Sequence, residues 1–169
     1  MADDNATPMT VRFDLVDPLH PDAVWALGQY FAELDRRFPD GFDPGDTVDA
    51  DAHRLRAPVG CFVVVRQANS LERHTIGCAG LQTLDAGIGE LKRMWLAPWV
   101  RRRGVGKRLL TEMEARSRAL GHRTLRLDTN ANLPEAVALY QRAGYRSIER
   151  YNDNPYPDFF FEKSVAEGS

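Results

Sequence analysis

The chain has 169 residues, of which 43% are hydrophobic and 27% charged, as in an ordinary globular domain. Its formal net charge of −2 argues against a protein that binds nucleic acid over a broad basic surface. The amino-terminal residues are polar and acidic, and no apolar run approaches about 18 residues, so we expect neither a secretory signal nor a membrane span. These features predict a cytoplasmic protein.

The first part of the chain predicts a strand, two helices and three further strands. Residues 10–16 alternate apolar and polar side chains, which is typical of a half-buried strand. Pro21 opens a helix whose apolar positions recur every three or four residues, at Val24, Leu27, Phe31, Leu34 and Phe38. After a loop over 39–46, the remaining predictions are a short helix at 47–56 and strands at 61–65, 75–82 and 88–96.

The second part predicts two helices and three strands. Leu109, Leu110, Met113 and Leu120 share one face of a helix that ends near Gly121. Asn132 and Glu135 resemble a capping box for a helix over 133–143. The predicted strands are 124–129, 147–151 and 159–163.

This order of elements predicts a single α/β (α+β) domain over residues 10–163. Only some of the strands are joined by helical crossovers, so the central sheet should be mixed, with about seven strands and about four helices. Residues 1–9 and 164–169 are expected to be flexible ends.

The stretch Arg-Arg-Arg-Gly-Val-Gly-Lys-Arg, residues 101–108, joins a predicted strand to a predicted helix. Glycine lets the backbone approach a ligand closely, and the N–H groups of a helix start attract phosphate. The stretch fits neither a Walker A loop nor a dinucleotide fingerprint, because the required Gly and Ser or Thr positions hold other residues. A polyphosphate site and a solvated basic helix start, or a nuclear-localisation-like run, both remain open on this stretch alone.

Three blocks in register resemble the GNAT superfamily of N-acetyltransferases. Residues 101–106 are similar to its [QR]-x-x-G-x-[GA] signature, and residues 138–145, Ala-Leu-Tyr-Gln-Arg-Ala-Gly-Tyr, to its A-x-L-Y-x-x-x-G-[FY] block. Residues 90–96, Glu-Leu-Lys-Arg-Met-Trp-Leu, resemble the strand that leads into the signature. The resemblance spans roughly residues 60–163.

The resemblance implies acetyl-CoA as the acyl donor, an amine acceptor and no metal. It implies a GNAT-like fold in which the strand carrying Met94, Trp95 and Leu96 splays from its neighbour, leaving backbone groups for the pantetheine amides. The implied phosphate-binding residues are Arg101, Arg102, Arg103, Gly104, Val105, Gly106 and Lys107. The chain departs from the family at Leu133, where many members carry a cofactor-contacting Asn, so Asn132 or Asn130 is the candidate replacement.

Two residues carry the chemistry that the resemblance implies. Raising the neutral fraction of an amine with a pKa near 10.4 at pH 7 costs about 4 to 5 kcal/mol, so a base in the acceptor cleft helps. Glu90, eleven residues before Arg101, stands at the spacing of the base in several members, and it acts directly or through a water. Tyr140 matches the general acid that protonates the CoA thiolate. The alternatives are a solvated or ion-paired Glu90 and a packed Tyr140.

The acceptor is less defined by the sequence. Asp40, Asp43, Asp46, Asp49 and Asp51 form an acidic segment that either attracts a cationic amine or is a solvated surface. The polar segment 152–157 either gates the acceptor or only connects two strands, and Trp25, Tyr30 and Phe31 belong either to the cleft or to the core. We expect a small-molecule amine or a peptide as acceptor, with no nucleic-acid or membrane partner and with a homodimer left open.

Two further interpretations concern the mechanism and the class of function. Cys61 and Cys78 are expected to be reduced thiols, and neither has an acid–base partner for a covalent intermediate. The sequence therefore predicts direct attack in a ternary complex. The alternative is a non-catalytic acetyl-CoA-binding regulatory module of the same fold, against which the presence of both Glu90 and Tyr140 argues.

Overall fold

The computed structural model describes residues 9–68 and 74–167. Its strands are Val11–Leu15 (β1), Gly60–Gln67 (β2), Thr75–Asp85 (β3), Ile88–Leu96 (β4), Thr124–Thr129 (β5), Arg146–Ile148 (β6) and Phe159–Ser164 (β7). Its α-helices are Pro21–Arg37 (α1), Thr47–Asp51 (α2), Val105–Ala119 (α3) and Pro134–Arg142 (α4). The predicted order of elements and the single α/β domain are confirmed. Within the described residues, no helix is both long and apolar enough to cross a membrane.

The strands form one mixed sheet in the order β1-β2-β3-β4-β5-β7-β6. Neighbours from β1 to β4 are antiparallel, whereas β4 and β5 are parallel and β7 lies antiparallel between β5 and β6. A parallel pair requires a crossover connection, which α3 supplies here. The crossover begins with the connection 97–104, which joins the carboxyl end of β4 to the amino end of α3.

The parallel strands β4 and β5 separate after a short contact, as predicted. Their pairing covers only Ile88 to Glu90 against Thr124 to Arg126. Beyond this contact, β4 has a bulge on its β3 side. The register shifts between the pairs Gly80–Lys92 and Cys78–Trp95, so two residues of β4 stand opposite one residue of β3. Arg93 lies in this bulge with a left-handed φ of 56°. A bulge bends its strand, so the carboxyl half of β4 turns away from β5 and leaves its backbone edge open.

The core lies between the sheet and its helices, and it corrects one predicted helix face. In α1, Leu27 and Leu34 are buried as predicted, but Val24 is 47% exposed. Ala23 and Ala26 are fully buried instead. The small alanine side chains let the helix lie close to the sheet, and the bulkier Val24 lies at the edge of this contact, where solvent reaches it.

The predicted capping box at the start of α4 is wrong. The N-cap is Leu133, and among the described residues no side chain caps this helix. Asn132 lies one residue before the N-cap, and its N–H and its Nδ2 both donate to Asn130 Oδ1, at 2.7 and 2.8 Å. Glu135 instead accepts a hydrogen bond of 2.9 Å from Arg37 Nη2 on α1. An ion pair between two helices has therefore replaced the local cap.

The ends of the domain lie slightly outside the predicted bounds. Met9 and Val165 are both buried in the core. The Met9 carbonyl accepts a hydrogen bond of 3.0 Å from Arg108, and the Val165 N–H donates to the Arg123 carbonyl at 2.9 Å. The rest of the predicted amino-terminal flexible segment, residues 1–8, and residues 168–169 lie outside the described residues. Strand β6 is also shorter than the predicted 147–151.

Candidate active site

The turn before α3 has the backbone geometry of an anion site. Arg102 and Gly104 have left-handed φ values of 65° and 78°, and Gly104 is the helix N-cap. The first backbone bond of the helix runs from Arg108 N–H to the Gly104 carbonyl, at 3.2 Å. The preceding N–H groups thus have no intrahelical acceptor, and they carry the positive end of the helix dipole. Residues 102–107 can therefore hold a phosphate through the backbone.

The basic side chains of this turn divide into two groups. Those of Arg102, Arg103 and Lys107 are exposed beside the helix start. Arg101 is engaged in the fold: its Nη2 contacts both carboxylate oxygens of Glu33 at 2.7 Å, and its Nε donates to the Leu96 carbonyl at 3.1 Å. Val105 is buried, so its N–H rather than its side chain is available to a ligand. Arg101 thus ties α1 to the end of β4.

A cavity of about 400 Å³ opens where β4 and β5 separate. Helices α1 and α4, the segment after α1, and the connection between β6 and β7 complete its walls. The residues from the two strands and α4 are Leu91, Lys92, Arg93, Met94, Asp128, Thr129, Asn130, Leu133, Ala136 and Tyr140. The others are Tyr30, Phe31, Leu34, Phe38, Phe42, Asp43, Pro44, Asp51, Asn154, Pro155, Tyr156 and Pro157.

Of the three β4 residues predicted to meet the cofactor, Met94 lines this cavity. Trp95 and Leu96 are buried, and Trp95 packs edge-on against Trp25 with ring centroids 6.0 Å apart. Trp95 and Leu96 can therefore contact a ligand through their backbone groups and not through their side chains. Leu96 also adjoins the anion-binding turn, because a Cβ added to Gly106 would lie 3.5 Å from its Cδ1.

Tyr140 stands on the α4 wall of the cavity with 7% of its surface exposed. Its ring packs edge-on against Tyr145, at 5.9 Å between centroids. The Tyr145 hydroxyl donates to Glu114 at 2.8 Å, whereas the Tyr140 hydroxyl has no hydrogen-bond partner among residues 9–68 and 74–167. Burial, followed by the negative charge of Asp128, raises the pKa of Tyr140. The hydroxyl is therefore protonated near neutral pH and available to a ligand.

Glu90 is buried beside the cavity and is not one of its lining residues. Its Oε1 accepts from Gln82 Nε2 at 2.8 Å, and its Oε2 accepts from the Tyr151 hydroxyl at 2.7 Å. Lys92 Nζ lies 3.9 Å from Oε1. Both carboxylate oxygens are thus occupied within the fold, so contact with an acceptor would require a relay.

Asp128, which sequence reasoning missed, is a half-buried carboxylate that lines the cavity. Its Oδ2 accepts a hydrogen bond of 2.7 Å from Asn152 Nδ2. Burial raises the pKa of Asp128 and the neighbouring charge of Glu90 raises it further, while Asn152 and the charges of Lys92 and Arg150 lower it. The alternating pattern of β5 predicts that Asp128 and Leu127 lie on opposite faces of the sheet. Nothing in the sequence indicated that other elements pack over the Asp128 face and form a cavity there.

A family model described as the acetyltransferase (GNAT) family matches residues 27–145. The chain belongs to this family. An "IAA acetyltransferase" of Azospirillum brasilense is 32% identical over 145 residues, which cover 83% of this chain and 91% of that protein. An acetyltransferase of the GNAT family from Staphylococcus aureus Mu50 has the same fold, with a TM-score of 0.78, 17% identity and coverage of 93% of this chain and 100% of that one.

A GNAT structure from Elizabethkingia anophelis that contains acetyl-CoA also shares the fold. Its TM-score is 0.63 at 15% identity, with 91% of this chain and 97% of that one covered. The predicted GNAT-like fold, with its mixed seven-stranded sheet and splayed strand pair, is thus confirmed by both the structure and the comparisons.

The GNAT-family position held here by Leu133 has two neighbouring asparagines in different settings. Asn130 and Leu133 line the cavity, and Asn130 Nδ2 donates to the Tyr156 carbonyl at 2.7 Å. Asn132, the residue predicted to replace the family Asn, is exposed and bound to Asn130. Its role toward a cofactor remains a prediction.

The acidic segment of this GNAT domain is not a continuous anionic wall. Asp43 and Asp51 line the cavity, whereas Asp40, Asp46 and Asp49 are exposed and lie outside the lining. Asp51 is paired with Arg93 at 3.0 Å and with Lys92 at 3.9 Å. Most of the segment is therefore a solvated surface.

The two cysteines are free thiols, as expected. Burial raises the pKa of the Cys78 thiol to about 12 and also raises the pKa of Cys61. A neutral thiol is a poor nucleophile, which argues against a covalent enzyme intermediate. Within the described residues, no group of three or more potential ligands is arranged to hold a metal ion.

Proposed function

We propose that this GNAT protein transfers the acetyl group of acetyl-CoA to a primary amine by direct attack in a ternary complex. One juxtaposition carries the proposal: the start of α3, with its free backbone N–H groups, packs against Leu96 at the end of β4 and against α4, whose Tyr140 brings an unpartnered hydroxyl to the cavity. Leu139, the residue before Tyr140, packs on the turn, since a Cβ added to Gly106 would lie 3.4 Å from its Cδ2. The phosphate-binding and acid groups are thus held by one packed unit.

The residues present fit acetyl-CoA as a substrate. The N–H groups of residues 102–107 and the side chains of Arg102, Arg103 and Lys107 would hold its phosphates. The open backbone edge of Met94, Trp95 and Leu96 would bind the amides of its pantetheine arm. Asn132 or Asn130 would add a contact from the start of α4. The thioester supplies an acetyl carbonyl that an amine can attack.

The protein's own groups move two protons. The first step is removal of protons from the acceptor: the ammonium ion present at pH 7 loses one proton before it attacks, and the nitrogen loses another as the C–N bond forms. The second step is protonation of the thiolate as the C–S bond breaks, so that one proton ends on CoA and one passes to solvent. We assign the second step to Tyr140, whose hydroxyl is protonated and unpartnered. For the first step we propose the carboxylate pair of Glu90 and Asp128, in which Asp128 meets the amine and Glu90 supplies the second negative charge.

A free-thiol release assay with acetyl-CoA and a panel of primary amines tests this function. We expect thiol release that depends on both substrates and saturates with each, with no thiol released from acetyl-CoA alone. Acetyl-CoA binding in calorimetry without thiol release for any amine would contradict the proposal and favour the non-catalytic binding module.

The anion-binding turn is tested by a matched pair of glycine variants. Gly104 and Gly121 have φ values of 78° and 90°, and at neither would an added Cβ meet an atom within 4 Å. Alanine at either position costs about 1 to 2 kcal/mol of backbone strain. We expect Gly104→Ala to weaken acetyl-CoA binding about tenfold in calorimetry, because strain and the new Cβ act where the phosphates bind. Gly121→Ala, at the far end of α3, should lose comparable stability and keep its affinity; equal affinity in both variants would contradict the assignment.

A further inference from the structure

Four aromatic rings form a cup on the acceptor side of the cavity, and we call Phe31, Phe38, Phe42 and Tyr156 the aromatic cup. Phe42 lies at its centre, with ring centroids 5.6 Å from Phe31, 5.9 Å from Phe38 and 4.6 Å from Tyr156. The rings come from α1, from the segment after it, and from the connection between β6 and β7. All four line the cavity.

The cup is held in place by polar contacts behind the rings. The Tyr156 hydroxyl accepts a hydrogen bond of 3.2 Å from the Asp43 N–H, and Asn130 donates to the Tyr156 carbonyl at 2.7 Å. Arg150 donates to the Asn154 carbonyl at 2.7 Å within the same connection. Phe42 and Tyr156 stay only half-buried despite these contacts. An apolar surface that is fixed but incompletely covered is suited to an apolar ligand group.

The charged groups of the cavity restrict the rest of the ligand. Both lining cations already face carboxylates, because Arg93 pairs with Asp51 and Lys92 lies 3.9 Å from both Asp51 and Glu90. Asp43 is exposed and accepts the Gly45 N–H at 2.8 Å. Asp128, which is half-buried, is therefore the carboxylate left to face a cationic ligand among the described lining residues. The described lining therefore presents the Asp128 carboxylate and the aromatic cup to a ligand, while both of its cationic side chains already face carboxylates.

From this we infer that the acceptor is a small primary amine carried on an uncharged aromatic body, with the ring in the aromatic cup and the amino group toward Asp128. The inference rests on the proposed function and specifies its substrate class. A polyamine would need a second free anion, but Asp51 is paired with Arg93 and the exposed Asp43 already accepts the Gly45 N–H. The remaining aspartates of the acidic segment lie outside the cavity lining. An amino acid would bring a carboxylate toward Asp128, where like charges repel.

Matched amines with acetyl-CoA test the inference through kcat/KM. We expect 2-phenylethylamine to exceed n-butylamine by at least about tenfold, since burying an aromatic ring is worth at least that factor. 2-Phenylethylamine should also exceed phenylalanine, which adds only a carboxylate, by at least about tenfold. Cadaverine should not exceed n-pentylamine, from which it differs by a second amino group.

A substitution in the aromatic cup tests whether these rings recognise the acceptor or only stabilise the fold. Phe42→Leu should lower kcat/KM for 2-phenylethylamine about tenfold while n-butylamine changes less than about twofold. Phe13→Leu replaces a half-buried ring on β1 that lies outside the cavity lining, and it should leave the ratio of the two amines unchanged.

The outcomes distinguish this inference from the function on which it rests. No thiol release with any amine would overturn both. Thiol release that is equal for phenyl and alkyl amines, or higher with cadaverine or phenylalanine, would overturn the aromatic acceptor and leave the transferase intact. An unchanged ratio in Phe42→Leu would remove the cup from recognition.

Discussion

Asp128→Asn should lower kcat/KM for the amine by about a hundredfold at pH 7 and by much less at pH 9. At pH 7 a simple alkylamine is almost wholly protonated, and the carboxylate offsets the cost of about 4 to 5 kcal/mol of removing that proton. At pH 9 the neutral amine is about a hundredfold more abundant without help. Initial rates of thiol release between pH 6 and pH 9.5 measure the difference.

The fold should tolerate this substitution. The raised pKa of Asp128 means that its charged form is costly to bury, so neutral Asn removes a penalty. The Asn oxygen can still accept the hydrogen bond from Asn152. We therefore expect an unchanged or higher Tm, and a loss of activity that came with unfolding or was equal at every pH would contradict the base role.

Comparing Glu90→Gln with Asp128→Asn shows which carboxylate of the pair removes the proton from the amine. The charge of Glu90 raises the pKa of Asp128, so its removal should lower that pKa and move the acidic limb of the pH profile to lower pH. We expect the loss at pH 7 to stay within about tenfold. A loss larger than that of Asp128→Asn would instead make Glu90 the base, the role that the sequence predicts for it directly or through a water.

Tyr140→Phe should lower kcat by roughly tenfold to a hundredfold and leave the affinity for acetyl-CoA nearly unchanged. A CoA thiolate with a pKa near 8.5 can leave without a proton, so the acid helps but is not indispensable. The lost hydroxyl has no partner among the described residues, so its removal leaves no orphaned group in the protein. Steady-state kinetics and calorimetry together separate kcat from binding.

Tyr145→Phe is the matched control for this prediction. Its ring packs against Tyr140, but its hydroxyl is directed to Glu114, which keeps its contact of 3.1 Å with Lys163. We expect a modest loss of stability and an unchanged kcat. Equal kcat values in the two variants would show that Tyr140 contributes packing and not a proton.

Much of the fold and of the proposed chemistry followed from short-range features of the sequence. The glycine at 104 before a helix start, the basic run and the tyrosine block lie within contiguous stretches, so the family and the position of the turn before α3 were predictable. The order of elements followed from apolar periodicity, which reports the local backbone period directly. The capping box failed because a competing ion pair, Arg37 with Glu135, joins residues that are far apart in the chain.

The sequence by itself therefore determined the order of elements, the GNAT family and the bare-backbone turn, because each is encoded within a few neighbouring residues. Only the tertiary structure decided which carboxylate meets the cavity, since Glu90 and Asp128 lie on strands that come together across the α3 crossover. It also decided that Phe31 lines the cavity and that Asp51 is paired with Arg93. Burial and charge pairing are properties of contacts between distant segments, and no local pattern records them.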